Sequence, residues 1–436
     1  MTRVGIYLSR FQFRGTAIAQ YDYATGLIQQ QLATPIFIHW PRPDERDERG
    51  DSRGVSIWEQ RGTGAREMFE RRFGKDSIKE YRSWKELYDI LNECKIDILY
   101  ILTSGIRAGD PDGHPVDNFD LDEMTSRLGW PSQMNNVRVA YHFVYVPGNV
   151  NLNQPRVATI SKAVAQRIKM IPNHQISDPD QVPIVPHLLR ECSADCSMST
   201  SVANRLRMRQ FLGIPPESTV FGRLGGVDTF NIEPVISAII RVLQKRKDVY
   251  FVFATTPMEV VQRIELSSDP RVLLIAPIYD DTRKCALIDA CDYMLHASQK
   301  GESFGLNVLE FLARGRPVIT FEPKLSEVER LTELKSGTDT TQSELLKWLG
   351  YHNASLTQAY YADQHLQHLK IISAQPNLTH MYKTYWDDTS LDNLLNDLKP
   401  LEPHDVCTVR FHQYTEAEVM KAFARVFLEV VTENQI

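Results

Sequence analysis

The tightest constraint on the fold lies in residues 293–321, which read strand, corner, helix, strand with almost no slack. Tyr293-Met294-Leu295-His296-Ala297-Ser298 is an apolar run of strand length. After it, Leu306, Leu309, Leu312 and Ala313 recur at helical spacing, and Gly315 stands where a helix would stop. Pro317-Val318-Ile319-Thr320-Phe321 is the next strand. The polar residues sit at the corner, Gly301-Glu302-Ser303-Phe304-Gly305. Ser303 is expected to cap the helix, and Gly305 to let an anion approach the amides of its first turn, where the helix dipole favours negative charge. Glu302 precedes the corner and Glu310 lies one helical turn beyond Leu306, so both are expected to face the crevice above the strand ends.

The same β-then-α rhythm runs twice through the 436 residues, enough chain for two or three domains. Strands are predicted at Val4–Leu8, Pro35–Trp40, Ile96–Leu102, Val137–Val146 and Arg156–Ile160, with a helix opening at Gly15. Ser83-x-x-Glu86 is a capping box before a helix reaching about Cys94, and Ser161 caps another through Lys169. Val182–Leu189, with two prolines and His187, suits a linker. The alternation then restarts with strands at Ser218–Leu224, Val249–Thr255, Arg271–Ala276 and Tyr293–Ala297. Such alternation specifies parallel sheets with helices on both faces and ligands at the strands' carboxyl ends. Beyond Arg330 the patterns are weaker until Thr415–Val431, an amphipathic stretch with Val419, Phe423, Val426, Phe427 and Val430 on one face.

A formal charge of −6 argues against a nucleic-acid binder. No window approaches the ~20 apolar residues of a membrane span, and no secretory leader precedes the first strand, so a cytoplasmic protein with reduced thiols is expected. Cys192 and Cys196 form a C-x3-C with no second ligand pair nearby, a weak zinc signal.

Glu302 and Glu310, eight positions apart around Ser303-Phe304-Gly305-Leu306 and followed by Gly315-Arg316-Pro317-Val318, resemble the E-x7-E motif of retaining GT-B glycosyltransferases, especially glycosyltransferase family 4. The resemblance implies an α/β fold of the GT-B type: two Rossmann-like domains facing a central cleft, residues 1–188 on the acceptor side and 189–414 binding the nucleotide sugar. A C-terminal helix, 415–436, is expected to pack back on the first domain. It implies a hexosyltransferase that moves sugar from a GDP- or UDP-sugar to a glycan or glycoconjugate acceptor with retention of configuration and without a metal. The first glutamate then lies by the donor sugar, the second takes the ribose hydroxyls, and the amides of Ser303, Phe304, Gly305 and Leu306 hold the diphosphate. Gly15, after strand one, would lie under the diphosphate. His142, inside Tyr141-His142-Phe143, would face the donor sugar, and Ile278 would border the base.

Breaking the sugar–diphosphate bond requires neutralising the departing charge. Arg223, at the end of its strand, and Lys300, just before the corner, are the cations in position to do so. Here the chain departs from the family, which carries a lysine about five residues after its arginine where this one reads Val227-Asp228-Thr229. No carboxylate in the first half stands out as a nucleophile, so same-face attack assisted by the leaving phosphate is the implied route. Three alternatives stay open. Asp110-Pro-Asp112, Asp120-Leu-Asp122 and Asp178-Pro-Asp180 each spell D-x-D, the metal-binding string of a different transferase fold. An epimerase on the same fold and a non-catalytic sugar-nucleotide binder are the others. Donor, acceptor and linkage leave no readable code.

Overall fold

Short apolar runs alternating with helical periods give, in the computed structural model, two six-stranded sheets whose strand pairings are all parallel. The structure describes residues 1–8, 11, 15–41, 63–103, 137–144, 156–162, 164–165, 181–190, 198–225, 230, 233–255, 258–276, 278, 280–298, 302–321, 380–385, 388–402 and 411–429. The chain divides into two units, Met1–Leu189 with His412–Ile436, and Arg190–Phe411.

In the first unit the sheet runs β3-β2-β1-β4-β5-β6. Its strands are β1 Arg3–Leu8, β2 Thr34–His39, β3 Ile78–Glu80, β4 Ile98–Thr103, β5 Arg138–Phe143 and β6 Val157–Thr159. The helices are α1 Gly15–Gln29, α2 Thr63–Phe73 and α3 Trp84–Glu93. The capping box forms at α3: Ser83 Oγ accepts from the Glu86 amide at 3.2 Å. Glu86 reaches back to the Arg82 amide at 2.7 Å, one residue beyond the cap itself. Ser161 Oγ likewise accepts from the Val164 amide.

Two expectations change here. The proline-bearing stretch is no free linker, because Ile184 bridges to Thr159, the Thr159 amide donates to the Pro183 carbonyl, and the Val185 amide donates to that of Thr159. The C-terminal stretch is also not one continuous α-helix. It is α-helical over Glu416–Phe423 and widens to a π-turn over Ala424–Leu428. Arg156 holds the end of this stretch, its guanidinium donating to the Phe427 carbonyl at 2.5 Å and to that of Glu429. Carbonyls of a last helical turn have no partner within the helix and can take one from a side chain. Val419, Phe423 and Phe427 are fully buried, and a Cβ built on Gly26 of α1 would lie 2.6 Å from Met420 Sδ. The C-terminal segment is thus packed onto the first unit's own helix.

The second unit repeats the plan as β12-β11-β10-β7-β8-β9. These strands are β7 Thr219–Leu224, β8 Val249–Ala254, β9 Val272–Ile275, β10 Tyr293–Leu295, β11 Val318–Phe321 and β12 Tyr382–Tyr385. The helices are α4 Met198–Leu212, α5 Glu233–Lys245, α6 Met258–Gln262, α7 Ile264–Ser267, α8 Asp281–Ala290, α9 Leu306–Ala313 and α10 Asp388–Asp397. Strand order reverses between β7 and β10, which pair in the register Met294 with Gly222. A buried carboxylate fixes that junction. Asp292 accepts from the Val220 amide at 2.7 Å, from Arg209 at 2.8 Å and from the Leu401 amide at 3.0 Å. Gly222 admits the close approach of α8's end, for a Cβ there would sit 2.3 Å from Cys291 Sγ. Cys285 on α8 is disulfide-bonded, unlike the reduced state expected for the thiols, while Cys94 and Cys291 are free. Among the described residues, no helix is long and apolar enough to cross a membrane.

Candidate functional site

A parallel sheet opens a crevice where neighbouring strands send their connections to opposite faces. In the second unit that point is β7 beside β10, and a small recess lies there, lined by Arg223, His296, Glu302, Gly305 and Asn307 among others. Arg223 comes from the end of β7 and His296 follows β10, while Glu302 and Gly305 belong to the corner before α9. The sequence separates these groups by up to 84 positions (307 − 223) and the fold gathers them.

The corner differs from expectation in one detail. Gly305, not Ser303, is the N-cap residue of α9, with φ 76° and ψ 47°. A left-handed backbone here suits glycine, which lacks the Cβ that would clash. The first-turn amides of α9 carry the positive end of the helix dipole. Phe304 is buried beside the turn, whereas Ser303 and Leu306 are half-buried.

One turn along α9, Glu310 is 4% exposed, which for a carboxylate demands a partner. Its Oε1 accepts from Lys284 Nζ of α8 at 2.5 Å, but its Oε2 has no hydrogen-bond partner among the described residues. Burial by itself would lower the Lys284 pKa; the Glu310 charge and hydrogen bond outweigh burial, and the net shift is upward. Lys284 is a residue the sequence reading missed. It sits on an unremarkable helix 26 positions before its partner, where no local pattern signals the pairing.

Arg223 is buried, donates to the Thr255 carbonyl at 2.7 Å and lies 5.7 Å from the centroid of the Phe230 ring. Thr255 holds its own strained backbone, φ 59°, at the end of β8. Glu302 accepts from His296 Nε2 at 3.3 Å, and His296 Nδ1 pairs with Thr320 Oγ1 of β11 at 2.9 Å. His296 and Thr320 also escaped the sequence reading, because each sits in an apolar strand pattern that reads as core.

His142 requires a correction. It is fully buried within the first unit, where its Nδ1 lies 2.7 Å from the Tyr100 hydroxyl and its ring lies 5.5 Å from Phe427. Burial, with a contribution from nearby His187, pushes its pKa down to about 3, against weak support from the Val185 and Thr159 carbonyls. A neutral ring enclosed by aromatic groups is a core residue here, so it does not offer the donor-facing group expected of it. Gly15 is the first residue of α1, after β1. Ile278 is half-buried, beyond the end of β9. Lys300, the three D-x-D strings, Cys192 and Cys196 lie outside the described residues. Among the described residues, no group of three or more His, Cys, Asp or Glu is arranged to hold a metal ion.

Residues 216–338, less than half of the chain, match the family model Glycosyl transferases group 1, and that span carries β7 to β11 and the whole recess. Among solved structures, a glycosyltransferase from Rickettsia africae ESF-5 aligns at a TM-score of 0.54 with 12% identity, covering 98% of this chain and 97% of that one. HepE of Anabaena, solved in complex with UDP and glucose, also aligns at 0.54 with 12% identity, covering 98% and 96%. No curated protein sequence matches the chain. The fold is therefore that of the GT-B proteins, two Rossmann-like units, and the match to the group 1 glycosyltransferase model falls within the second unit.

Proposed function

We propose that this protein transfers a hexose from a UDP- or GDP-sugar to a glycan or glycoconjugate acceptor. The observation that carries the reading is Glu310, a buried carboxylate with one oxygen neutralised by Lys284 and the other without a hydrogen-bond partner among the described residues, one turn from the helix start at Gly305. A ribose offers the hydroxyl donors that such an oxygen lacks, and a diphosphate is the kind of anion that a helix N-terminus attracts. HepE, which shares the fold, was solved with UDP and glucose bound.

The chemistry follows from the recess. As the sugar–oxygen bond breaks, negative charge accumulates on the diphosphate and positive charge on the sugar ring. Arg223, one of the lining residues, supplies a cation to the departing phosphate, and the amides following Gly305 supply fixed dipoles. Lys300, from the sequence, is the candidate second cation. Glu302 lies where a carboxylate can orient sugar hydroxyls and offset the positive ring. With these fixed charges the reaction needs no divalent metal, and the acceptor attacks from the face the phosphate leaves, so configuration is retained.

The test is incubation of the purified protein with a panel of UDP- and GDP-sugars, with nucleotide release and the product's anomeric configuration followed by proton NMR. Release from one donor with the anomeric configuration preserved is expected. Arg223→Ala is expected to lower kcat about a hundredfold, the loss typical for one preorganised electrostatic donor. Failure to bind or cleave any donor would refute the reading, and an inverted product would refute the same-face route alone.

A further inference from the structure

We infer that His296 is a positioning residue, which with Thr320 forms a relay that holds the Glu302 carboxylate in the recess. This rests on the transferase reading above, which assigns Glu302 to the sugar. Of the three groups only Glu302 has appreciable exposure: its side chain is 30% accessible, against 6% for His296, and Thr320 is fully buried. Glu302 opens a segment with no helix or strand, Glu302 to Gly305, so no regular element fixes its carboxylate. His296, by contrast, is fixed on both sides. Its amide donates to the Ile319 carbonyl at 2.9 Å, and its carbonyl accepts from the Tyr385 hydroxyl at 3.3 Å.

The hydrogen-bond directions follow from the chemistry of each group. A carboxylate only accepts, so the 3.3 Å contact requires a proton on His296 Nε2. In the neutral ring Nδ1 is then an acceptor, and the Thr320 hydroxyl, 2.9 Å away, donates to it. The accept-only carboxylate sets the tautomer, and the Thr320 hydroxyl holds Nδ1 and with it the ring orientation in which Nε2–H faces Glu302. This is the arrangement by which an outer hydrogen bond sets which imidazole nitrogen faces the working group.

The outer residues can be altered without touching the groups that meet the donor. Thr320→Val keeps the side-chain shape and removes the hydroxyl; Thr320→Ser keeps the hydroxyl. His296→Gln can put an N–H near the Nε2 position, whereas His296→Asn is too short to reach Glu302. The first measurement needs no ligand: nitrogen-15 histidine spectra of the whole protein, above the histidine titration range, identify the protonated nitrogen. The Nε2–H form is expected, and an Nδ1–H form overturns the relay.

The second measurement is turnover of whichever UDP- or GDP-sugar the wild type cleaves. Thr320→Val and His296→Asn are expected to lower kcat about 10–100-fold, the usual cost of removing an outer hydrogen bond of this kind. KM for the donor should stay within about twofold, because the nucleotide contacts are untouched. Thr320→Ser and His296→Gln should recover most of the rate. Equal loss in all four variants, or loss in KM alone, overturns the positioning role. A wild type that cleaves no donor refutes the transferase reading, which is a different result from an active wild type with an unimpaired His296→Asn.

Discussion

Removing the Glu310 side chain should damage stability and nucleotide binding by separable amounts. In Glu310→Ala, Lys284 loses the carboxylate at 2.5 Å and keeps only Asp281 at 3.7 Å, with its side chain 17% exposed. Breaking a buried pair by deleting one partner costs roughly 3–5 kcal/mol, because the other charge stays buried alone. The residual exposure of Lys284 and its contact with Asp281 put this case at the low end, about 3 kcal/mol. Glu310→Gln, which keeps an oxygen for Lys284, should cost less. Adding Lys284→Met to Glu310→Gln should recover part of the loss of either single change, since no lone charge remains. Binding is a second quantity. A carboxylate accepting from ribose hydroxyls contributes about 1.5–3 kcal/mol, so Glu310→Gln should weaken UDP or GDP by roughly one to two orders of magnitude. Urea unfolding with and without nucleotide measures both, because a ligand at a hundred times its Kd stabilises the native state by about 2.7 kcal/mol. Glu310→Ala within about 0.5 kcal/mol of wild type would refute the buried-pair argument. Undiminished nucleotide affinity in a folded Glu310→Gln would refute the ribose assignment.

Acid should destabilise the first unit through its buried histidines. Burial holds His142 at about 3 and His187 at about 4, below the ordinary value near 6.5, so the unfolded chain binds more protons between those limits. The stability they contribute is present above about pH 6.5 and is lost as pH falls, by about 2 kcal/mol per histidine between pH 7 and pH 5. His187→Gln should flatten this dependence in urea titrations, and an unchanged slope would count against it. Turnover should survive EDTA; complete loss restored by manganese or magnesium would transfer the reaction to the D-x-D alternative. Gly305→Ala forces a side chain into φ 76° and should cost about 1–2 kcal/mol in urea unfolding.

How far sequence reached depended on how local the information was. Repeated apolar runs of strand length, with helical periods between them, identified two parallel sheets, because a strand buried on both faces must be apolar throughout. The Glu302–Glu310 spacing and the glycine between them marked the corner at the start of α9, because a tight turn and a helix start are properties of adjacent residues. Short-range patterns also found the capping box at Ser83 and Glu86.

What tertiary structure alone decided involves partners distant in the chain. Lys284 meets Glu310, Thr320 meets His296, and Arg156 donates to the Phe427 carbonyl at the end of a segment that periodicity alone made one helix. Gly305 rather than Ser303 occupies the N-cap position, since the position is set by where the backbone turns rather than by which residue carries a hydroxyl. His142 and His296 show the limit most directly. Both are histidines in apolar strand patterns, one enclosed by Tyr100 and Phe427, the other at the rim of the recess beside Glu302. Their sequence contexts are alike, and only the packing of neighbouring elements determines whether an imidazole meets a core or a crevice.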